Sequence, residues 1–227
     1  MNVKKTLKLW KLFLFLKFPV VFLRPIMREK IILKSADLFL SYGFKSVTMD
    51  DIANAMGISK KTIYQHFDNK TKLVEATTLA TFDIISHGID CICALDKNPI
   101  EEIYEIKKFI MTHLKDEKSS PQFQLQKYYP KIYATLKKKQ LEKMLGCVKE
   151  NLEKGVKQKL YRDSIDIEFI SRIYFNGMTS LKDQDVFPLN NFSMNSLMEL
   201  FLEYHLRGIC SPKGLEILTK FINTNQS

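Results

Sequence analysis

The polar side chains with the clearest potential for chemistry lie between residues 48 and 70, where the sequence reads TMDDIANAMGISKKTIYQHFDNK. Ile63 and Phe67 stand at the i, i+4 spacing that places two apolar side chains on one face of a helix. The remaining positions leave lysine, threonine, tyrosine, glutamine and histidine facing outward. Long cations and hydroxyl groups at a helix start hydrogen-bond to guanine edges and phosphates and contact thymine methyl groups. These residue types therefore favour recognition of nucleic acid.

Two short helices joined by a tight turn must position these side chains. Thr48 is placed as the N-cap of the first helix, and Asp50 and Asp51 fall in its first turn, where the helix dipole favours negative charge. Gly57 is expected to end this helix, and Ser59 to cap the next one, which is predicted to continue to about residue 67. This arrangement is a helix-turn-helix. Its second helix, about 10 Å long, fits a major groove that is about 12 Å wide.

Helical periodicity continues on both sides of this motif. Residues 28–42 are predicted to form a helix that ends at a left-handed Gly43, with Phe44 folded back in a Schellman-like stop. Further helices are expected after Asn69 as N-cap, from Asn98-Pro99 to about residue 114, from Pro121, from Pro130 to about residue 158, from Asp163 or Ser164, over residues 193–207 and briefly after Pro212, with a loop over 115–120. No segment shows sustained strand alternation. The sequence therefore predicts an all-α protein of nine or ten helices.

The segment 28–75 resembles the N-terminal domain of the TetR family of transcriptional regulators. The resemblance is carried by ADLFLSYGF, then VTMDDIANAMGIS, then KKTIYQHFDNK with Leu73 following. It implies an N-terminal three-helix helix-turn-helix domain over residues 27–72, joined to a helical bundle over residues 73–227 that binds an effector and dimerises. Residues 76–227 resemble the family only in length and helical character.

The resemblance also implies roles for individual side chains. At the matching positions of the family, residues equivalent to Lys60, Lys61 and Thr62 face base edges. The predicted DNA-binding set is completed by Thr48, Tyr64, His66 and Lys70, which match phosphate-holding positions, and by Ser59 at the start of the second helix. The contact surface reaches Lys70 because the fourth helix offers its own N-terminus to the DNA backbone. Two alternatives remain open: a structural His66 packed against the first helix, and lysines that form only a solvated face.

The family implies a homodimeric repressor, in the cytoplasm, that binds a palindromic double-stranded DNA operator and is released by a small-molecule effector. Dimerisation is expected because one short recognition helix makes too few base contacts for specific affinity. The predicted interface is formed by residues 165–181 and 193–207. Candidate effector-binding side chains are His87, Tyr104, His113, Tyr174, Phe175 and Asn176, each of which could equally be an ordinary core or surface residue.

Other functional classes find little support in the sequence. It contains no H-E-x-x-H, G-x-x-x-x-G-K-[ST], G-x-G-x-x-G or G-x-S-x-G motif, so no enzymatic activity is predicted. Cys91 and Cys93 are too close together for the usual zinc-ligand pair, and Cys147 and Cys210 are distant in sequence. We therefore expect buried, inert thiols in a reducing cytoplasm, without a metal or a cofactor.

The charge of the chain is unevenly distributed. The net charge is +10, and residues 1–26 contribute +6 of it through five lysines and one arginine without any acidic residue, which leaves +4 for the rest. Three interpretations of this segment remain: translated upstream sequence with Met27 as the true start, a flexible basic tail, or an amphipathic membrane-surface helix. The last supports an alternative function, a membrane-surface or protein-interaction module. No stable membrane insertion is expected, because its apolar runs fall short of the roughly 20 residues that a span needs.

Overall fold

Ten α-helices and no β-strand form the part of the protein that the structure, a computed structural model, describes: residues 26–114, 121–183, 185–188 and 190–225. In chain order, the helices are α1 Met27–Tyr42, α2 Met49–Met56, α3 Lys60–Tyr64, α4 Lys70–Cys93, α5 Pro99–Leu114, α6 Pro121–Tyr128, α7 Pro130–Lys157, α8 Ile167–Ser180, α9 Met194–Ile209 and α10 Pro212–Asn225. The predicted all-α fold is confirmed. The interpretations of residues 1–25 and the loop predicted over residues 115–120 lie outside the described residues.

Helices α1 to α3 and the first turns of α4 surround a hydrophobic cluster that we call the N-terminal core. Phe39, Ile52, Ile63 and Leu73 lie at its centre and are fully buried. Because each helix contributes apolar side chains at helical spacing, the three helices stabilise one another, and α2 and α3 are too short to be stable alone.

The Schellman motif that the sequence predicts at the end of α1 is found at the end of α2. Gly57 adopts the left-handed conformation (φ 65°, ψ 32°), and the N–H of Ile58 donates to the carbonyl of Ala53 at 3.1 Å, which makes a Schellman motif at the end of α2. At Gly43, α1 ends as predicted and Phe44 folds back on Phe39, with 5.0 Å between the ring centroids, but the expected left-handed conformation and Schellman hydrogen bonds are wrong. Gly43 has φ 87° and ψ 155°, and its N–H makes a single bond to the Phe39 carbonyl at 2.8 Å.

A side chain from a distant helix also packs closely on Gly43, in addition to the positive φ of this residue. The side chain of Gln124 on α6 occupies the space that a Cβ atom at Gly43 would need. Its Oε1 accepts the backbone N–H of Lys45 at 3.1 Å. The turn between α1 and α2 is thereby fixed to a helix that lies 79 residues later in the chain.

Helices α5 and α7 to α10 form a bundle around a second hydrophobic cluster, the bundle core. Leu152, Leu202, Leu206 and Leu218 are among its most buried members. Helix α4 belongs to both regions, because Leu73 and Val74 at its start pack in the N-terminal core while its later turns contact α5 and α7.

A buried polar network ties α5 to α7 inside the bundle. The Asn151 Nδ2 donates to Glu102 Oε1 at 2.7 Å and to the Pro99 carbonyl at 3.0 Å, and its Oδ1 accepts the Tyr161 hydroxyl at 3.0 Å. Lys154 Nζ pairs with Glu102 Oε2 at 3.2 Å. Each polar atom of the amide is satisfied, as buried polar groups require.

Two predicted helix boundaries in the bundle are wrong. Helix α8 begins at Ile167 with Asp166 as its N-cap, whose Oδ1 accepts the Phe169 N–H at 2.9 Å, so neither Asp163 nor Ser164 opens it. The helix after Pro212 has 14 residues and is not short. In contrast, the predicted start at Asn98 is confirmed, since its Oδ1 accepts the N–H groups of Ile100 and Glu101, each at 3.1 Å.

The cysteines only partly match the expectation of buried thiols. All four are free; Cys210 is buried, whereas Cys91, Cys93 and Cys147 are half-buried. Among the described residues, no cluster of three histidine, cysteine or acidic side chains could hold a metal ion. Within the same residues, no helix combines the length and the apolar character needed to cross a membrane.

Candidate nucleic-acid interface

The α2–α3 motif presents a polar face because its apolar face is fixed in the N-terminal core. Ile63 is fully buried and Phe67 is 4 % exposed, while Lys60, Lys61 and Tyr64 on the other sides of α3 are exposed. Ser59 caps the helix through its hydroxyl oxygen, which accepts the Thr62 N–H at 3.1 Å. Because α3 is anchored by buried side chains, its lysines and its tyrosine are held on the surface.

Helix α3 is shorter than the sequence predicts, ending at Tyr64 and not near Phe67. The N–H groups of His66 and Phe67 both donate to the Ile63 carbonyl, at 2.9 and 3.0 Å. This shared acceptor tightens the last turn and brings Phe67 into the core. His66 is exposed, which disfavours the alternative in which its ring packs against α1.

Thr48 and Asp51 form a capping box that fixes the start of α2. The Thr48 Oγ1 accepts the Asp51 N–H at 3.1 Å, and Asp51 Oδ2 accepts the Thr48 N–H at 2.8 Å and its hydroxyl at 2.7 Å. The hydrogen bonds from the backbone and the hydroxyl of Thr48 lower the pKa of Asp51. The carboxylate thus acts as a cap, as the sequence indicates.

The two lysines at the start of α3 differ in their partners. Lys60 Nζ pairs with Asp50 Oδ2 at 2.7 Å, and this hydrogen bond raises the pKa of Lys60. Lys61 is exposed and makes no ion pair with a described residue. Of the two ammonium groups, that of Lys61 is therefore the more available to an external anion or base edge.

Lys70, at the first position of α4, is half-buried. Its Nζ donates to the Lys45 carbonyl at 3.3 Å, and desolvation lowers its pKa. The side chain links the start of α4 to the turn between α1 and α2. It therefore has a structural role in addition to any contact with phosphate.

Sequence reasoning missed two cations beside the motif. Arg28 lies over the Phe67 ring, 5.1 Å from its centroid, so it is held beside the end of α3. Lys45 lies over the Tyr128 ring, 5.3 Å from its centroid, and is exposed. In the sequence, the two residues could have been noticed as cations near the two ends of α1. The fold is what brings Arg28 next to the motif.

Comparison with known proteins identifies this region. The family model "Bacterial regulatory proteins, tetR family" matches residues 31–77. The biofilm operon icaADBC negative transcriptional regulator IcaR of Staphylococcus aureus (strain Newman) is 36% identical over 63 residues, 28% of this chain and 34% of IcaR. The chain thus spans about a third of the length of that relative.

A longer match comes from the HTH-type transcriptional regulator YdeS of Bacillus subtilis, which is 30% identical over 155 residues, 62% of this chain and 70% of YdeS. The chain belongs to the TetR family. The resemblance inferred from residues 28–75 is confirmed, and this family is one of transcriptional regulators.

Solved structures share the fold of this TetR-family regulator. A transcriptional regulator from Cytophaga hutchinsonii has a TM-score of 0.66 at 17% identity, covering 81% of this chain and 98% of its own. SmeT, the repressor of a Stenotrophomonas maltophilia multidrug efflux pump, has a TM-score of 0.60 at 14% identity, covering 82% and 91%. At such identities the likeness shows the fold alone.

The regulator contains a cavity of about 220 Å³ between the N-terminal core and the bundle core. We call it the junction cavity. Its wall includes Ala36 and Phe39 of α1 as well as Tyr174 and Met178 of α8. It is a candidate effector site, because ligand pockets are concave, mostly apolar and often formed between helices.

The junction cavity includes few of the side chains suggested from the sequence. Tyr174 and Phe175 line it, but the other four do not. Those four are His87 and Asn176, which are exposed, Tyr104, which packs on Phe221 at 4.8 Å between ring centroids, and His113, which packs on Phe109 at 4.1 Å. Their positions on the outer or opposite faces of their helices separate them from the cavity.

Proposed function

We propose that this TetR-family regulator is a homodimeric repressor that binds a palindromic operator through α3 and is released by a small-molecule effector. The observation that carries the proposal is the exposed cationic face of α3, opposite the fully buried Ile63. A helix held in this way enters a major groove without reorganisation, so little conformational entropy is lost on binding.

Within this proposal, residues 60–62 read base edges and the surrounding side chains hold the DNA backbone. The backbone set comprises Thr48, Ser59, Tyr64, His66 and Lys70. Lys60 can exchange its exposed partner Asp50 for DNA because exposed ion pairs are weak in water. Lys70 gives one of its three N–H donors to the Lys45 carbonyl, which leaves donors for a phosphate.

Exposed apolar side chains on α8 and α9 support dimerisation. Phe169 and Ile173 on α8 are 60% and 47% exposed, and Leu200 and Tyr204 on α9 are 63% and 79% exposed. Each pair has the i, i+4 spacing of one helix face, and the two helices are in contact. Contiguous apolar surface of this kind marks an interaction site, and a two-fold pairing of α8 and α9 with a second copy would cover it.

Repression and effector release are supported less directly. IcaR is a negative regulator and SmeT a repressor by name, and we extend that role to this chain as part of the proposal. An effector can release DNA only by as much as it prefers the conformation that does not bind DNA. The proposed binding site of the effector is the junction cavity.

Selection of bound DNA from a random pool tests the operator. We expect a palindrome whose half-sites are centred about one helical turn, or a multiple of it, apart. Lys61→Ala should relax base preference at one position of each half-site by about 1–3 kcal/mol. Lys157→Ala, at an exposed lysine on the last turn of α7, is the control and should leave the selected sequence unchanged.

Mass measurement at micromolar concentration tests the dimer. Leu200→Glu and Tyr204→Glu place charge on the proposed interface and should convert the dimer to monomer without unfolding it, because both side chains are exposed. Leu95→Glu, at another exposed leucine, is the matched control and should remain dimeric. A wild-type chain that is only monomeric contradicts the proposal.

A further inference from the structure

The junction cavity is continuous with both hydrophobic cores. Ala36, Phe39 and Leu40 of α1 line the same space as Tyr174 and Met178 of α8. A molecule that fills it therefore touches the first helix of the helix-turn-helix region and the interior of the bundle at once.

Two hydroxyl groups in the wall of the cavity have no hydrogen-bond partner among the described residues. Thr77 is 2% exposed and Thr78 is 7% exposed, and the Oγ1 atoms of both are buried and unpaired. A buried hydroxyl without a partner is costly. Thr81, one turn later, also lines the cavity, but its hydroxyl donates to the Thr77 carbonyl at 2.8 Å. Because adjacent residues of a helix point in different directions, each unpaired hydroxyl is by itself a position where a polar atom of a ligand would be stabilised.

Two of the three lysines in the wall form ion pairs with acidic side chains. Lys107 pairs with Glu199, and Lys143 pairs with Asp90. The rest of the wall is largely aliphatic and aromatic. Because a further charge would need its own partner inside this surface, the cavity favours an uncharged ligand.

The volume limits the size of the ligand. A cavity of about 150 Å³ lined by apolar side chains holds benzene, so by proportion 220 Å³ holds about nine non-hydrogen atoms. We propose that the junction cavity binds an uncharged aliphatic molecule of about that size, whose single hydroxyl group hydrogen-bonds to one of the two unpaired hydroxyls, that of Thr77 or that of Thr78.

The regulatory consequence rests on the proposed function. Since α1 forms part of the wall, the ligand acts directly on the helix that packs on α2, and α2 in turn packs on α3. Ligand binding should then change operator affinity by the ratio of the ligand's affinities for the arrangement of α1 that binds DNA and the arrangement that does not.

Calorimetric titration of the full chain with n-hexanol, n-octanol, n-dodecanol, octanoate and chlorooctane tests the ligand class. We expect n-octanol to bind most tightly, n-dodecanol to be excluded by size, and chlorooctane to bind about fivefold to tenfold more weakly for lack of a hydroxyl. Tighter binding of octanoate than of n-octanol, or no binding of any alkanol, overturns the proposal.

Substitutions in α4 test the hydroxyl contact. Thr77→Val and Thr78→Val each remove an unpaired hydroxyl, and the one that removes the partner of the ligand should abolish the preference for n-octanol over chlorooctane without destabilising the protein. Thr81→Val is the matched control, because its hydroxyl is already used within α4, and it should retain the preference. An unchanged preference in both Thr77→Val and Thr78→Val contradicts the assigned contact.

Two substitutions of opposite effect in α1 test the contact with that helix. Ala36→Leu makes the cavity smaller and should weaken the binding of n-octanol more than that of n-hexanol. Leu40→Ala makes it larger and should allow n-dodecanol to bind. Unchanged chain-length preference in both variants shows that the ligand does not reach α1. A chain that binds n-octanol but selects no DNA refutes the proposed function alone, and one that selects DNA but binds no alkanol refutes this inference alone.

Discussion

The α2–α3 motif and the interior of the bundle satisfy their polar groups in different ways. In the motif, Thr48 bonds to Asp51 and Ser59 to Thr62, each pair three residues apart and exposed. In the bundle, Asn151 bonds to Glu102, which lies 49 residues away, and both side chains are buried. Local bonds position a surface for a partner, whereas long-range buried bonds determine which helices pack together.

The difference has an energetic consequence. An exposed cap can exchange its hydrogen bonds with water when it is broken, so its loss is modest. A buried amide cannot do so, and its removal leaves the partner groups unsatisfied. We therefore expect the effects of substitution on the free energy of unfolding to decrease from the bundle interior to the motif.

The largest effect is expected for Asn151→Ala. The substitution removes two donor bonds and one acceptor bond and leaves the buried Glu102 carboxylate with Lys154 alone. We expect a loss of about 3–5 kcal/mol in the free energy of unfolding, measured by urea denaturation. Glu153→Ala, at an exposed position of the same helix, should change it by less than about 0.5 kcal/mol. Equal effects of the two substitutions would contradict the comparison.

Leu125→Ala tests how sharply the two regions are divided. Leu125 lies on α6, but it is 2% exposed within the N-terminal core, together with Ile132 of α7. We expect a loss of about 3 kcal/mol in the free energy of unfolding and faster hydrogen exchange in α1. Gln126→Ala, exposed on the same helix, should change neither quantity. If hydrogen exchange changes only in the bundle, the N-terminal core does not depend on α6.

The histidine of the bundle should make stability depend on pH. Burial against Tyr174 and Phe201 lowers the pKa of His205 to about 4, from an ordinary value of 6.5. Between these values the unfolded chain binds a proton that the folded protein does not, so stability is complete above pH 6.5 and decreases as the pH falls towards 4. We expect a loss of about 2 kcal/mol between pH 7 and pH 5.

His205→Leu should remove this component of the pH dependence. His66→Gln, which replaces the exposed imidazole of the motif, should leave it unchanged. Denaturation curves at several pH values measure both. If the free energy of unfolding of His205→Leu depends on pH as that of the wild type does, another group is responsible.

The smallest effect is expected for the cap of α2. Thr48→Ala removes the hydroxyl that accepts the Asp51 N–H and should lower the free energy of unfolding by about 1 kcal/mol, measured by urea denaturation. Ser46→Ala, two positions earlier and exposed, is the control and should have no measurable effect. A Thr48→Ala loss as large as that of Asn151→Ala would remove the distinction between local and buried bonds.

Much of the motif could be predicted because its determinants are local. Thr48, Ser59 and Asn69 each accept an N–H bond from a residue three positions later, so their role as N-caps follows from the order of residue types. The start of α8 was misplaced because Asp163, Ser164 and Asp166 are all good caps. Packing of the apolar residues after them, and not the caps themselves, selects Asp166.

The effector candidates were less predictable. Side-chain type suggested aromatic and imidazole groups on several helices, but the wall of a cavity is decided by which helix faces meet. Thr77 and Thr78 could have been noticed as hydroxyl groups inside the apolar periodicity of α4. Only the fold shows that they line the same cavity as Phe39 and Met178.

The sequence alone thus determined the all-α class, the helix-turn-helix with its caps and its outward cations, and the family. These depend on hydrogen bonds and periodicities that span a few residues. The tertiary structure decided how α6 completes the N-terminal core, how Gln124 fits over Gly43, and where the junction cavity lies. Those features depend on contacts between residues far apart in the chain, whose geometry is set by the packing of whole helices and not by any local pattern.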